Sequence, residues 1–567
     1  MKHQTHHVDF CVVGGGMAGM IAAIAASRKG IRTALMQDRP VLGGNASSEI
    51  RMHICGAHGD NLRETGILEE IILENHYRNP YANFSIWDSV LYEKVRQEPN
   101  LLLFLNCTCQ TVKMQEQHIV SVTGWQMTSE TYHTVKASFF ADCSGDSILA
   151  PLTGAAFRMG RESQQEFGES IALKQADKKT MGMSCLLQFR ETPHPCSFIP
   201  PSWAYSYPTD DDLPKAVHGI GDNFWWIELG GEQDSIHDTE TIKDELLKIA
   251  FGVADHLKNQ QDHGMECWQL DWVGFLPGKR ESRRYEGDVI ISQKDVEQAG
   301  KHFPDIVAYG GWTMDNHFPG GFYYRDTHPT VYHPAPSPWG IPFRALYSRN
   351  ISNLLFAGRN ISATHVAMSS SRVMATCAIV GQAVGTAAAQ CIKTGTTPRT
   401  IDISLLQQTL MEDDCYLPFH HREVSALTKK AICSHPVVVN GYDRPLDGTD
   451  NGVILQSGES IVFSWEKPQH LSQLRLIFDS NLNRPEKNMP QYHPLDWEGR
   501  YQTPKTLVKK FRVTCLHADG TKTEILVSNN YQRLVRLKLN TDAIRLQLTP
   551  LSAWGMTQFH IFSVDIQ

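Results

Sequence analysis

Residues Gly14-Gly15-Gly16-Met17-Ala18-Gly19 match the spacing Gly-x-Gly-x-x-Gly, which suits holding a pyrophosphate against bare backbone. The first glycine makes a tight turn, the second lets backbone approach the phosphates, and the third lets a helix pack closely on a strand. Phosphates there face the positive end of the helix that follows. A second group of residues suits proton transfer. Asp315 and His317 stand two apart in a glycine-bounded loop between Gly310 and Gly321, while His53 follows Arg51-Met52 and His365 lies in Asn353–His365. Histidine exchanges a proton near neutral pH, which is the partner step to moving a hydride on or off a neighbouring carbon.

The elements around the glycines are those this chemistry needs. Val8–Val13 is a short β-branched run, an Ala-rich helix extends to about Lys29, and a second strand follows at Arg32–Gln37. A tight turn in any βα unit would show the glycines too; the flanking strand and helix turn them into a nucleotide signature. An acid accepting from the adenosine ribose is expected at the end of the second strand. Gln37 occupies that place and Asp38 follows it, so either the amide or Asp38 makes the contact.

Beyond lies Arg39-Pro40-Val41-Leu42-Gly43-Gly44-Asn45-Ala46-Ser47-Ser48, a second glycine pair that a plain NAD domain does not need. The segment resembles that of FAD-binding oxidoreductases of the glutathione reductase and fumarate reductase type. Two later segments continue the resemblance in order. Phe139–Asp146 (FFADCSGD) is similar to the family's strand and acidic turn beside FAD, with Gly145 and Asp146 at the matching positions, and Asn353–Arg359 (NLLFAGR) is similar to its late strand. The resemblance implies FAD as cofactor. It implies that Gly14, Gly16, Met17, Ala18 and Gly19, then Gln37 or Asp38, then Gly43, Gly44, Asn45, Ala46 and Ser47, and last Gly145, Asp146, Gly358 and Arg359 hold it. Hydride then passes between substrate and flavin N5. Leu101–Cys109, His118–Met127 and Tyr132–Ala137 read as the β-meander such domains carry. A helix of small residues, Val373–Gln390, is placed to turn its N-terminal donors toward the flavin, although a packed core helix would be equally Ala-rich.

Residues between these segments supply the candidate chemistry. Asp315 and His317 lie in a loop that resembles the family's loop over the flavin, and His53, His365, Arg51 and Arg372 complete the catalytic candidates. Oxidation of an alcohol or amine needs a base, and reduction of an activated alkene needs a proton donor. Trp203, Tyr205, Tyr207, Phe224, Trp225, Trp226, Trp268, Trp272 and Trp312 are core or flat faces for a sugar. Thr239–Leu257 has amphipathic helical spacing. Gly278–Arg284 (GKRESRR) is either solvated surface or an anchor for a carboxylate, a phosphate or a facing acidic segment. His53, Cys55 and His58 have zinc-ligand chemistry, but Gly56 and Gly59 fit an active-site turn, so no metal is expected.

From about Val437 the texture changes. Ser460–Trp465, Leu474–Phe478, Lys510–Leu516, Thr523–Val527, Leu534–Leu539, Ala543–Leu548 and Phe559–Asp565 are short β-rich runs between polar turns, the pattern of an antiparallel sandwich. It resembles a discoidin-like jelly roll. Tyr492, Trp497, Tyr501 and Trp554, if exposed, form a sugar platform; a structural appendage or an oligomer contact is the alternative.

The 567 residues, 41% hydrophobic and 20% charged, have ordinary globular composition, which excludes a disordered or fibrous chain. A net charge of −8 argues against nucleic acid and anionic membranes as partners. Thirteen cysteines, an odd number with no Cys-x-x-Cys pair, indicate reduced thiols and a cytoplasmic protein. Phe10–Ser27 is uncharged, yet Asp9 before it and Gly14–Gly16 within it favour strand, turn and helix over a signal peptide. No other run approaches the roughly 20 apolar residues of a spanning helix.

The expected fold class is α/β. A Rossmann-like FAD-binding domain at 1–156 and 349–395 is interrupted by an α+β substrate domain at 157–348. A helical linker at 396–436 leads to a C-terminal antiparallel β-sandwich at 437–567. The expected function is FAD-dependent hydride transfer to or from a small polar substrate, a carbohydrate or polyol. The alternatives are reduction or dehydrogenation of a carboxylate gripped by an arginine among Arg280, Arg283, Arg284 and Arg372, and a glycan-binding protein with a structural flavin domain.

Overall fold

In the computed structural model, which describes residues 1–215, 219–260, 262–496 and 501–567, the N-terminal pattern folds as strand, turn and helix. These are β1 (Phe10–Val13), α1 (Met17–Arg28) and β2 (Thr33–Met36). The turn requires glycine, because Gly14 has φ of +102° and a Cβ there would stand 2.5 Å from the backbone of Cys143. Three more strands, β3 (Leu101–Phe104), β4 (Phe139–Asp142) and β5 (Leu354–Phe356), complete a parallel sheet in the order β5-β4-β1-β2-β3. Every residue of β1 is buried, as expected for a central strand of a parallel sheet covered on both faces.

Helix α2 (Met374–Thr394) packs on α1. A Cβ on Gly381 or on Gly385 would lie 2.1 Å from the carbonyl oxygen of Ala18 or of Ala22, so the two backbones approach as closely as chains can. That is why the helix is made of small residues. One expectation changes here. By length and composition this 21-residue helix is apolar enough to cross a bilayer, but 94% of its most apolar window is buried inside the protein, and tight packing accounts for its character.

The expected meander differs at its start. Leu101–Phe104 is strand β3 of the parallel sheet, and a turn at Asn106, with φ of +53°, separates it from the antiparallel strands Cys107–Gln115, His118–Gln126 and Thr131–Lys136. Lys2–His7 adds to these as a parallel fourth strand. The helix expected at Thr239–Leu257 forms over Thr239–Asp255.

The chain divides into two compact units: Met1–Ala57, Tyr81–Leu406 and Lys487–Arg500 form the first, and His58–Pro80, Gln407–Glu486 and Tyr501–Gln567 the second. Residues 157–348 lie in the first unit with the parallel sheet, and carry their own apolar cluster around Phe189, Trp226, Leu246, Val253 and Phe322. The helix Ile67–Arg78 belongs to the second unit. There its buried Glu69 is held by Arg484 at 2.5 Å and by the Ser480 hydroxyl at 2.6 Å.

In the second unit one seven-stranded antiparallel sheet buries Phe463, Leu474, Phe511, Leu546 and Ile561. Four of the runs seen in sequence merge into two long strands, Ile461–Phe478 and Leu534–Ala553, because bulges let the chain bend without breaking the pairing. Of the four aromatics weighed as a platform if exposed, Tyr501 does not meet that condition. Tyr492 lies in the first unit against Trp268, Tyr501 is buried, Trp554 gives its indole N–H to Asn530 O, and Trp497 falls outside the described residues. Among the described residues no disulfide joins any of the cysteines.

Candidate active site

The separate glycine segments meet at one cavity of about 530 Å³ in the first unit, within the size range of small-molecule and cofactor pockets. Gly14, Gly16, Met17 and Ala18 line it, with Gly43, Gly44 and Asn45 from the second loop, Gly145 and Asp146 after β4, and Gly358 and Arg359 after β5. The carboxyl ends of parallel strands converge there because β1 lies between β2 and β4, and the loops that follow these strands share one edge of the sheet. Helix α1 begins at Gly16 with no side-chain cap and no acid in its first turn, which leaves its N–H groups and positive dipole end for an anion. A Cβ on Gly16 would meet only Gly44 Cα, at 3.8 Å, so this backbone faces open space that a pyrophosphate can fill.

Gly19 and Ala46 and Ser47 do not line the cavity but support it. Gly19 sits against the Gly14 carbonyl, Ala46 O accepts from Trp87 Nε1 at 2.7 Å, and Ser47 Oγ donates to Gly44 O at 2.7 Å. Gln37 is buried and spoken for: its Oε1 accepts from Gly15 N at 2.6 Å and its Nε2 donates to Val41 O at 3.3 Å. Asp38 keeps a mostly exposed side chain at the cavity wall. Asp146 is a hub, receiving Arg359 at 2.7 Å and Lys279 and Ser282 at 2.8 Å. Burial alone would push its carboxyl up, but the two cations outweigh burial and hold it below the usual range.

Asp315 and His317 are not in a loop. They lie on the strand Met314–His317, paired antiparallel with Thr330–His333, and a spacing of two on a strand points both side chains to one face, where both line the cavity. His317 Nδ1 is 2.6 Å from Glu228 Oε2, and its Nε2 is 3.2 Å from Asp315 Oδ2. Asp315 also accepts from Arg372 at 2.8 Å and from Thr330 Oγ1 at 2.6 Å. Glu228 stands 3.3 Å from Arg280, whose other bonds go to Ser184 Oγ and Trp225 O, both 2.9 Å. Burial raises both carboxyls, yet His317 with Arg372 lowers Asp315, and Arg280 with His317 lowers Glu228, so both are held as carboxylates. Trp225 sets its ring at 5.3 Å from His317, edge to face.

A model of the FAD dependent oxidoreductase family matches residues 9–410. The chain belongs to that family. It is an FAD-dependent oxidoreductase, and FAD is its cofactor. No curated protein matches it significantly. Among solved structures the oxidoreductase is similar to Mycobacterium smegmatis Sdh1 in complex with UQ1, at 11% identity over 72% of this chain and 73% of that one, with a TM-score of 0.29. A geranylgeranyl bacteriochlorophyll reductase-like protein from Thermoplasma acidophilum matches at 12% identity over 73% and 85%, TM-score 0.32. The family 32 carbohydrate-binding module of Streptococcus pneumoniae EndoD matches at 14% identity over 24% of this chain and 93% of that module, TM-score 0.18.

The remaining candidates of this oxidoreductase divide. His53 lines the cavity, its Nδ1 3.2 Å from Gln491 Nε2, and burial, with Lys487 nearby, lowers its pKa to about 4. His365 is buried elsewhere: Nδ1 meets Glu281 at 2.9 Å and Nε2 meets Asn316 Oδ1 at 2.9 Å, on the face of the strand opposite His317. Arg51 also stays out of the cavity. Its guanidinium lies over Phe84 and Trp272, bonds Gln188 at 2.9 Å, and has its pKa lowered to about 10 by burial. The basic patch is not solvated surface. Lys279, Arg280 and Arg283 are bonded inward as given or to Asp146 O, and Arg284, buried, pairs with Glu281 and Glu162. Of the four arginines weighed for a carboxylate, Arg280 and Arg372 line the cavity.

Sequence reasoning missed Glu228, Tyr332 and Gln491, all in the cavity or bonded to it. Gln491 follows the strand Ile461–Phe478 in the chain but belongs to the first unit, and no local pattern marks it. Glu228 stands beside the aromatic run Phe224–Ile227, the one signal that singles out its segment.

Proposed function

We propose that this oxidoreductase exchanges a hydride and a proton with a hydroxyl-bearing substrate, a carbohydrate or polyol. The observation that carries the reading is the ring of His317 in the cavity, fixed by Glu228. A carboxylate oxygen only accepts, so Nδ1 donates to Glu228, and Nε2 is the position that takes up or gives the substrate proton. When that proton is present, Asp315 at 3.2 Å stabilises it. FAD, when bound, supplies the hydride acceptor. Asp315, Arg280 and Arg372 offer the donors and acceptors that hydroxyl groups need, and Trp225, Trp312 and Tyr332 line the same cavity with flat apolar faces.

Gly14, Gly16, Met17, Ala18, Gly43, Gly44, Asn45, Gly145, Asp146, Gly358 and Arg359 are assigned to FAD as cavity-lining residues, with Gly19, Ala46 and Ser47 behind them. Asp38 is assigned to the ribose, because the Gln37 oxygen is already engaged by Gly15. Residues 157–348, with their own apolar cluster, act as the substrate-binding cap, and the C-terminal sheet, as a sandwich, serves glycan or oligomer contact. The odd cysteine count without a Cys-x-x-Cys pair supports a reducing, cytoplasmic setting.

A second reading rests on Arg372, which lines the cavity and has a buried Nε without a hydrogen-bond partner. It fits an unsaturated carboxylate, which Arg372 would bind while His317 delivers the proton. Anaerobic mixing of the FAD-loaded protein with sugars and polyols tests the first reading: the visible flavin band bleaches with a member of that class. If none bleaches it and the chemically reduced protein is reoxidised by an unsaturated acid, the second reading takes its place.

A further inference from the structure

The helix Thr239–Asp255 runs on into a π-helical turn, His256–Gln260, where His256 meets two residues from other segments. Its Nε2 is 3.0 Å from Asp210 Oδ1 and 3.0 Å from His263 Nε2, and those two atoms are 3.5 Å apart. None of the three residues lines the flavin cavity.

The other nitrogen of His256 decides its tautomer. Nδ1 is 2.7 Å from the carbonyl oxygen of Tyr207, which only accepts, so Nδ1 carries hydrogen and a neutral ring turns the lone pair of Nε2 toward the carboxylate. Two lone pairs facing each other at 3.0 Å repel, and either a shared proton or a metal cation between them removes the repulsion. The spacing suits one cation class. Ligands held 2.0–2.1 Å from a tetrahedral zinc stand about 3.3 Å from one another, against the 3.0, 3.0 and 3.5 Å found here. Two imidazoles select zinc-like ions over calcium or magnesium, which take oxygen. His256 is buried, and a backbone carbonyl on its far nitrogen is the usual way a metal-binding histidine is oriented. Asp210 is exposed, so an ion can arrive from solvent and keep water as a fourth ligand.

We propose that Asp210, His256 and His263 form a zinc site that clamps the turn Asp210–Asp212 to the end of the helix Thr239–Asp255. The test uses the full-length FAD-loaded protein, stripped by chelator and titrated with zinc chloride, with bound metal counted by atomic emission. One zinc per chain and a rise in melting temperature on adding zinc are expected. Asp210→Asn and His263→Gln change ligands that solvent reaches, and each weakens zinc binding by at least about tenfold while FAD content and turnover stay as in the parent. Cobalt(II) in place of zinc gives an absorbance band that the double variant lacks. No uptake by the parent protein, or uptake by the double variant as tight as the parent's, overturns the proposal and leaves a hydrogen-bonded triad.

Discussion

Nδ1 of His317 lies 2.6 Å from Oε2 of Glu228, a carboxylate 89 residues earlier in the chain. One residue comes from the strand Met314–His317 and the other from the short strand Glu228–Leu229, so the orientation of the ring depends on how two distant segments are held together. Arg280, 3.3 Å from Glu228, balances the charge of the pair in its buried setting.

Replacing His317 by alanine should slow anaerobic flavin reduction by about 10²- to 10⁴-fold, the usual loss for a general acid or base. Glu228→Gln keeps the imidazole but loses the charge that orients it, and should lose part of the same factor in the rate with little change in KM. Stopped-flow reduction, normalised to bound FAD, measures both. A wild-type rate in His317→Ala would remove it from the proton path.

Gly16→Val should fold yet fail to retain FAD, because its side chain enters open space beside Gly44 instead of protein. Gly14→Val should lose fold and cofactor together, since its Cβ would overlap the Cys143 backbone at a φ of +102°. Circular dichroism and the visible flavin spectrum separate the two outcomes. A Gly16→Val protein that purifies yellow would contradict this placement of the pyrophosphate.

At the contact between α1 and α2, Gly385→Ala forces a methyl to within about 2.1 Å of the Ala22 carbonyl unless the helices part. Overpacking of this kind costs about 1–3 kcal/mol, read as a lower melting temperature or denaturant midpoint. An unchanged midpoint would show that the helices separate freely.

His53 and His493 both have pKa values lowered to about 4, in each case chiefly by burial. An unfolded histidine titrates near 6.5, so between about pH 6.5 and 4 the unfolded chain binds more protons than the folded one, and stability falls as pH falls through that window. Carboxylates such as Glu228, held below the usual range, lose their contribution only below about pH 4.5. Denaturant unfolding at half-unit pH steps should show this slope, and the double variant His53→Gln/His493→Gln should flatten it between about pH 6.5 and 4.5.

Local signals were legible where one stretch of chain does one job. The glycine turn with its strand and helix, the pair Gly43-Gly44, and the segments ending at Asp146 and Arg359 could be read in order, because each needs particular residue types within about ten positions. Asp315 and His317 were legible as a pair, although as members of a loop. His365 and Arg51 looked equivalent to His53 in sequence, and nothing local separates a histidine at a cavity wall from one bonded behind a strand.

The sequence by itself determined the glycine turn between strand and helix, the small-residue helix and the change to antiparallel strands near Val437, since backbone conformation and side-chain period are local properties. Only the tertiary structure decided that Gln37 serves the glycine loop, that the Lys279–Arg284 cations turn inward onto acids, and that Glu228 and Gln491 come to His317 and His53. Those outcomes depend on charge pairing and burial between segments tens to hundreds of residues apart. That pairing is settled by which buried groups can satisfy one another, and no spacing along the chain records it.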